Sequence, residues 1–346
     1  MSPLPLIHSI TNRILNAPKN AAGELFVACN ELYKVLLQIT GIDLEEAANR
    51  QTQTLESGHA IGLTWAAMCI QDYMRTKRFM DGIYQATNDK LKTITGRPVH
   101  ILYAGTGPFA ALILPLTARF NEKQIQFILL EVNEQTFNCL QKMVDTLQLQ
   151  KYIHRIEKAD ATKWKLPSNE PVDIFISETM QQALVKEPQV ELCMNIQPQL
   201  PPGAIIIPEQ IILQAALIDL PKRMHNKRLN NNAEDAVHVL DTIFTLSKQT
   251  ILQHAGSSHT AFPEITVCIP GEILETHSLL YLLTEIIIYK QEKLLIDKSQ
   301  LTLPLKLCSL NGLQTATLKF QYHTGKTPGI QFSINQVKQH AIRSSL

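Results

Sequence analysis

His100-Ile101-Leu102-Tyr103-Ala104-Gly105-Thr106-Gly107-Pro108 is a strand-length apolar run that breaks into a G-x-G turn. Glycine lets the backbone turn sharply and approach a ligand closely. A helix is predicted over 108–120, its free N–H groups facing the same ligand, with Pro115 kinking or shortening it. The next predicted strand, 126–132, carries Glu131, 26 residues beyond Gly105. An acidic residue at the end of the second strand can accept both hydroxyls of a ribose. Gly105, Gly107 and Glu131 are therefore candidate ligands of a nucleoside.

The G-x-G-x-x-A spacing alone is compatible with a dinucleotide, and hence with an oxidoreductase. Two later features favour S-adenosyl-L-methionine. Ala159-Asp160-Ala161-Thr162 follows a predicted strand over 153–158, where Asp160 can hold an adenine amino group or cap the turn. A further strand over 172–177 delivers Glu178 to the carboxyl edge of the sheet. That edge is where ligands bind in open α/β sheets.

The flanks differ in texture. Residues 1–92 show helical apolar spacing over 24–37 and again over 63–83, and Asp43 before Glu45 and Glu46 resembles an N-cap. Residues 93–208 alternate strands with helices, which implies a parallel, Rossmann-like sheet. Residues 209–346 carry strand patterns over 210–218, 242–246, 264–269, 279–289, 316–323 and 329–334. They predict an antiparallel β-barrel-like domain. The polar segment 222–240 interrupts it. Gly325-Lys326-Thr327 looks like the end of a phosphate-binding loop, but Phe320 stands where the first glycine belongs, so it reads as a hairpin turn.

Composition sets limits. The 346 residues are 45% hydrophobic and 18% charged, which suits a large buried core rather than disorder. Lys plus Arg (32) balance Asp plus Glu (31), which argues against a general nucleic-acid binder. No apolar run approaches the ~18 residues of a membrane span. The six cysteines are scattered, with no C-x-x-C pair, and read as buried free thiols rather than a disulfide or zinc framework. The histidines show no metal-ligating spacing, and no metal is expected. The N-terminus lacks a secretory signal pattern, so a cytoplasmic protein is expected.

With these motifs assembled, the sequence resembles the protein arginine methyltransferase family. Tyr103-Ala104-Gly105-Thr106-Gly107-Pro108 is similar to the G-x-G-P form of its symmetric-dimethylating branch. Ser177-Glu178-Thr179-Met180, running on to Glu187, resembles the family's double-glutamate loop, with the glutamates nine residues apart. Met68-Cys69-Ile70-Gln71-Asp72-Tyr73-Met74-Arg75-Thr76 resembles its M-L-x-D-x-x-R-T helix. The resemblance implies an S-adenosyl-L-methionine-dependent enzyme. In it Glu178 and Glu187 hold a cationic acceptor, Arg75 binds the cofactor carboxylate, and Met68 lies beside the cofactor. It also implies a homodimer, in which an arm of the barrel, here 222–240, docks onto the nucleotide domain.

The chain also departs from the family pattern. Gln181 stands where the family has glycine. There is no Y-F-x-x-Y motif: His59 falls near its second tyrosine and Trp65 at a usual histidine. The T-H-W loop is missing; Ser299-Gln300-Leu301-Thr302-Leu303-Pro304 is the nearest candidate. Since that loop shapes a peptide acceptor site, the expected acceptor shifts to a small guanidine or amine, such as free arginine. An arginine-containing protein remains the alternative, and a catalytically silent cofactor-binding scaffold is the rival of another class.

Overall fold

The computed structural model describes residues 2–229, 233–254 and 260–338. Helices α1 (Leu4–Asn16) and α2 (Ala22–Thr40) each bury one stripe: Ile7, Ile10 and Ile14 in the first, Leu25, Cys29, Leu32 and Leu36 in the second. These are the three- and four-residue spacings of an amphipathic helix. Gly41, at φ +68°, ends α2 in the left-handed conformation that glycine adopts without strain. Asp43 accepts from the Glu45 N–H in a turn, not at a helix start; the short α3 (Ala47–Arg50) begins later. A small antiparallel hairpin follows, β1 (Gln53–Leu55) and β2 (Gly58–Ala60), which no apolar pattern announced. The helical spacing over 63–83 proves to be two helices, α4 (Leu63–Met68) and α5 (Tyr73–Leu91), separated by a 3₁₀ turn. Asp72 caps α5 by accepting from the Arg75 N–H.

The central unit contains β3 (Val99–Ala104), α6 (Leu114–Thr117), β4 (Ile125–Glu131), α7 (Glu134–Thr146) and β5 (Ile153–Lys158). It continues through β6 (Ile174–Ser177), α8 (Gln189–Ile196) and β7 (Ile205–Ile207). The strands form one parallel sheet in the order β5-β4-β3-β6-β7, with β3 buried at its centre. Ala104 lies opposite both Leu130 and Ser177. The register therefore releases Gly105, Glu131 and Glu178 side by side at the carboxyl edge.

The helix predicted over 108–120 is not there. A 3₁₀ turn at Ala111–Ile113 and the single turn of α6 replace it. Ala110 is left-handed at φ +42°, and the Pro115 ring clashes with the carbonyl four residues earlier in a continuous helix. The row of helical N–H donors expected over the G-x-G turn is accordingly absent.

The C-terminal unit comprises β8 (Gln210–Ile218), α9 (Leu220–Arg228), β9 (Val237–Ser247), α10 (Lys248–His254), β10 (Ile265–Ile269) and α11 (Gly271–Leu274). It is completed by β11 (Leu279–Tyr289), β12 (Glu292–Leu294), β13 (Leu305–Ser309), β14 (Leu313–His323) and β15 (Gly329–Lys338). These strands make two antiparallel sheets, one ordered β12-β11-β8-β9 with β13 also on β11, the other β10-β14-β15. Ala316, Leu318, Phe320 and Tyr322 alternate inward along β14, and the Tyr322 ring stacks on Phe244 of the other sheet at 4.4 Å. The 325–327 segment is the β14–β15 turn, as its composition implied. The proposed arm 222–240 is α9, a 3₁₀ turn at 233–236 and the start of β9, with 230–232 outside the described residues.

Buried Glu292 of β12 ties the units together. It accepts from Lys19 at 2.5 Å and from Arg78 and Gln85 at 3.0 Å. Among the described residues no helix is long and apolar enough to cross a membrane. The cysteines are free, but only Cys29 and Cys193 are buried; Cys268 is exposed on the edge strand β10, so the expectation of six buried thiols does not hold.

Candidate active site

Gly105 and Gly107 both sit at positive φ, +73° and +63°. A Cβ on Gly105 would stand 2.1 Å from Thr179 Cγ2, so only glycine fits where β3 passes the loop that follows β6. At Gly107 the nearest atom to a Cβ is Ala66 Cβ, 3.9 Å away, and the missing side chain leaves room in the cavity floor. Glu131 stitches this turn to the second strand. Its Oε2 accepts from the Gly107 N–H and its Oε1 from the Asn133 N–H, both at 3.0 Å. Burial pushes the Glu131 carboxyl up, and these amide donors oppose the shift. Asp160 Oδ1 accepts from the Thr162 N–H (2.9 Å) and hydroxyl (2.7 Å), so it caps its turn while also lining the cavity.

The segment from Glu178 to Glu187 leaves β6 and returns to α8. Gln189 pins its neck: Oε1 accepts from the Ser177 hydroxyl, the Thr179 N–H and the Thr179 hydroxyl, and Nε2 donates to the Ser177 carbonyl. Within the loop Ala183, Leu184 and Lys186 are left-handed, at φ 56°, 53° and 68°. Such residues cost on the order of 1–3 kcal/mol each and persist only where their surroundings over-determine them. Here the β domain does so. The Thr284 hydroxyl accepts from the Ala183 N–H, the Tyr322 hydroxyl donates to the Leu184 carbonyl, and the Pro328 carbonyl accepts from the Lys186 N–H. Gln181, in place of the family's glycine, is extended at φ −106° and needs no glycine freedom.

Both glutamates are buried and line the cavity that Gly105, Gly107 and Glu131 also line. Burial holds the Glu187 carboxyl up to about 7, against the opposing pull of Arg75 and of a hydrogen bond from Gln181. Arg75 projects from α5 into the same cavity, and its Nη2 donates to Glu178 Oε2. Met68 is not part of the cavity wall. It ends α4 with 39% of its surface exposed, because the chain turns there and presents Cys69 and Ile70 inward instead. Trp65 is half exposed beside it.

The β1–β2 hairpin completes the enclosure. A Cβ on Gly58 would stand 2.5 Å from the Lys186 carbonyl oxygen, and the His59 N–H donates to that oxygen at 2.8 Å. At the other end Glu56 pairs with Lys163 at 2.7 Å. Sequence periodicity missed the hairpin because three-residue strands carry too few alternations to register. Gln189 and Thr136 also escaped notice; polar residues inside helical patterns read as solvent-facing until the fold buries them. Among the described residues seven buried side-chain polar atoms lack a partner, and three of them belong to this cavity wall: His59 Nδ1, Thr136 Oγ1 and Glu178 Oε1. Buried polar atoms are ordinarily satisfied. Their concentration here marks where a polar ligand belongs.

No family model and no curated protein matches the sequence. Solved structures do. The PRMT1 enzyme–prozyme heterotetrameric complex of Trypanosoma brucei with AdoHcy aligns over 80% of this chain and 94% of that one, at 15% identity and a TM-score of 0.50. A structure of protein arginine methyltransferase 10 from Arabidopsis thaliana, in an open conformation, aligns over 74% of this chain and 86% of that one, at 13% identity and a TM-score of 0.47. The first likeness shows the fold: a Rossmann-like sheet followed by an antiparallel β domain, as that enzyme–prozyme structure has.

Proposed function

We propose that the protein is an S-adenosylmethionine-dependent N-methyltransferase acting on a guanidine or amine, with a small molecule such as free arginine as the favoured acceptor. The observation that carries this is the convergence of Glu178 and Glu187, from opposite ends of one strained loop, on the cavity that also contains the glycine turn and Glu131. The cofactor fits the donor set present: room above Gly107, paired carboxylate oxygens on Glu131 for ribose hydroxyls, the partnerless Thr136 hydroxyl, and Asp160 on the adenine side. Arg75 is the cation available for the amino-acid carboxylate.

When bound, the cofactor supplies a methyl group already made electrophilic by its sulfonium, so the chain's task is positioning. Glu178 and Glu187 would hold a forked cation and stabilise its charge as it develops. A guanidinium placed between them draws Glu187 into its ionised form. Gln189 and Tyr322 keep the loop from relaxing. Calorimetric titration with S-adenosylhomocysteine, followed by transfer of labelled methyl groups to free arginine and to an arginine-bearing peptide, tests the proposal; absence of cofactor binding sinks it.

One observation favours the scaffold alternative, namely that Arg75 already occupies one oxygen of Glu178. A silent relative would bind S-adenosylhomocysteine yet leave every acceptor unmethylated.

We further propose a homodimer. Phe26 and Val27 of α2 and Trp65 and Met68 of α4 expose apolar surface on neighbouring helices, and Leu220, Met224 and Leu229 expose more on and just after α9. The two patches are complementary candidates for an arm and its dock on a second copy.

A further inference from the structure

We propose that His59 accepts the proton that the acceptor nitrogen must lose during methyl transfer. This rests on the methyltransferase reading above and adds a residue to it. As the acceptor nitrogen bonds the methyl carbon, the carbon–sulfur bond breaks and its electron pair stays on sulfur. A guanidinium that gains a methyl group and remains a monocation must release one N–H proton, and that proton needs a base.

The cavity offers few groups free to take it. Glu131 is engaged by the Gly107 and Asn133 N–H groups and Asp160 by Thr162. Glu178 is paired with Arg75, and both glutamates are needed as charges on the acceptor; a proton delivered to either would discharge the hold. Tyr103 is pushed up by burial and stays protonated, and Cys69 donates to the Trp65 carbonyl.

His59 can take the proton without removing either carboxylate charge from the acceptor. Imidazole is the side chain that changes charge near neutrality. Its Nδ1 is buried without a partner, and the ring lines the cavity. Its position is determined by backbone: Gly58 packs against the Lys186–Glu187 peptide, and the His59 N–H is bonded to that peptide's oxygen. The imidazole is thereby carried on the same support as Glu187, on the acceptor side of the cavity.

The test uses the full chain, His59→Gln, and His59→Ala with and without added imidazole. Three quantities are measured: affinity for S-adenosylhomocysteine; transfer of labelled methyl groups to arginine from pH 6 to 9; and the ring nitrogen resonances of His59 in the S-adenosylhomocysteine complex as arginine is added. Expected are cofactor affinities within about twofold of wild type, and a rate near neutrality about 100-fold lower in His59→Gln, as general-base removal commonly gives. The pH–rate profile of His59→Gln should differ in shape from that of wild type. Imidazole should restore part of the His59→Ala rate, and arginine should shift the His59 resonance. An unchanged rate and pH profile in His59→Gln overturns the proposal. So does a wild-type complex that binds S-adenosylhomocysteine but shows neither transfer to arginine nor an arginine-dependent shift; the cofactor assignment then stands without it. If wild type fails to bind S-adenosylhomocysteine, the methyltransferase reading falls, and His59's role with it.

Discussion

Arg75 Nη2 donates to Glu178 Oε2, so the cation assigned to the cofactor carboxylate is held by the carboxylate assigned to the acceptor. On the function proposed above, the two sites would compete for one charge. On that reading, a cofactor carboxylate that drew Arg75 away would free Glu178 for the acceptor.

Glu178→Gln separates these roles. The amide keeps the shape and gives up the charge. S-adenosylhomocysteine affinity should be equal to wild type or tighter, since Arg75 loses a competitor. Transfer should fall about 100-fold or more, worth about 2.7 kcal/mol of barrier. Calorimetry and a single-turnover assay read the two effects; a weaker cofactor complex with full transfer would reverse the assignment.

Glu131→Ala should act on the cofactor. It removes both acceptor oxygens from a buried position and leaves the Gly107 and Asn133 N–H groups without them. Each hydrogen bond to a charged group contributes on the order of 1.5–3 kcal/mol. A loss of at least tenfold in S-adenosylhomocysteine affinity is expected, together with a lower melting temperature. Unchanged affinity would exclude Glu131 from the ribose site.

Glu187 makes stability depend on pH. Its carboxyl is held up to about 7 by burial, above its ordinary value of 4.5. The folded state therefore binds the extra proton between those values. This contribution to stability, on the order of 3 kcal/mol, is fully present below about pH 4.5 and is lost as pH rises through about 7. In urea unfolding from pH 5 to 8, wild type should lose more stability than Glu187→Gln. Parallel pH profiles would place Glu187 in a more solvated setting.

Dimerisation is tested at the exposed helices. Met224→Asp on α9 or Trp65→Glu on α4 should shift sedimentation toward monomer, because each puts a charge into an apolar contact. A wild-type monomer at micromolar concentration would remove the proposal.

Legibility followed length and periodicity. The strands 153–158, 210–218 and 279–289 coincide with the sequence expectation residue for residue, and the last two are sustained apolar runs. The β1–β2 hairpin and β12, at three residues each, were too short to register. Met68 shows the same limit at the site. Its place in a motif resembles that of a cofactor contact, yet α4 ends at Met68 and leaves it partly exposed.

The sequence by itself determined the β3 turn, the acidic residue ending β4 and the carboxylate ending β6, since each is written as a local pattern at a strand end. Parallel register then obliges those ends to meet at one edge. What only the tertiary structure decided is non-local. Residues more than a hundred positions away, Thr284 and Tyr322, hold the strained loop that carries Glu187. Arg75 was free to be paired with any carboxylate until folding buried it beside Glu178. His59 shows no local pattern at all; it acquires a partnerless ring nitrogen and a place in the cavity because the Gly58–His59 backbone docks on the peptide before Glu187. Burial and charge pairing depend on which distant segments share a space, and no window of sequence contains that information.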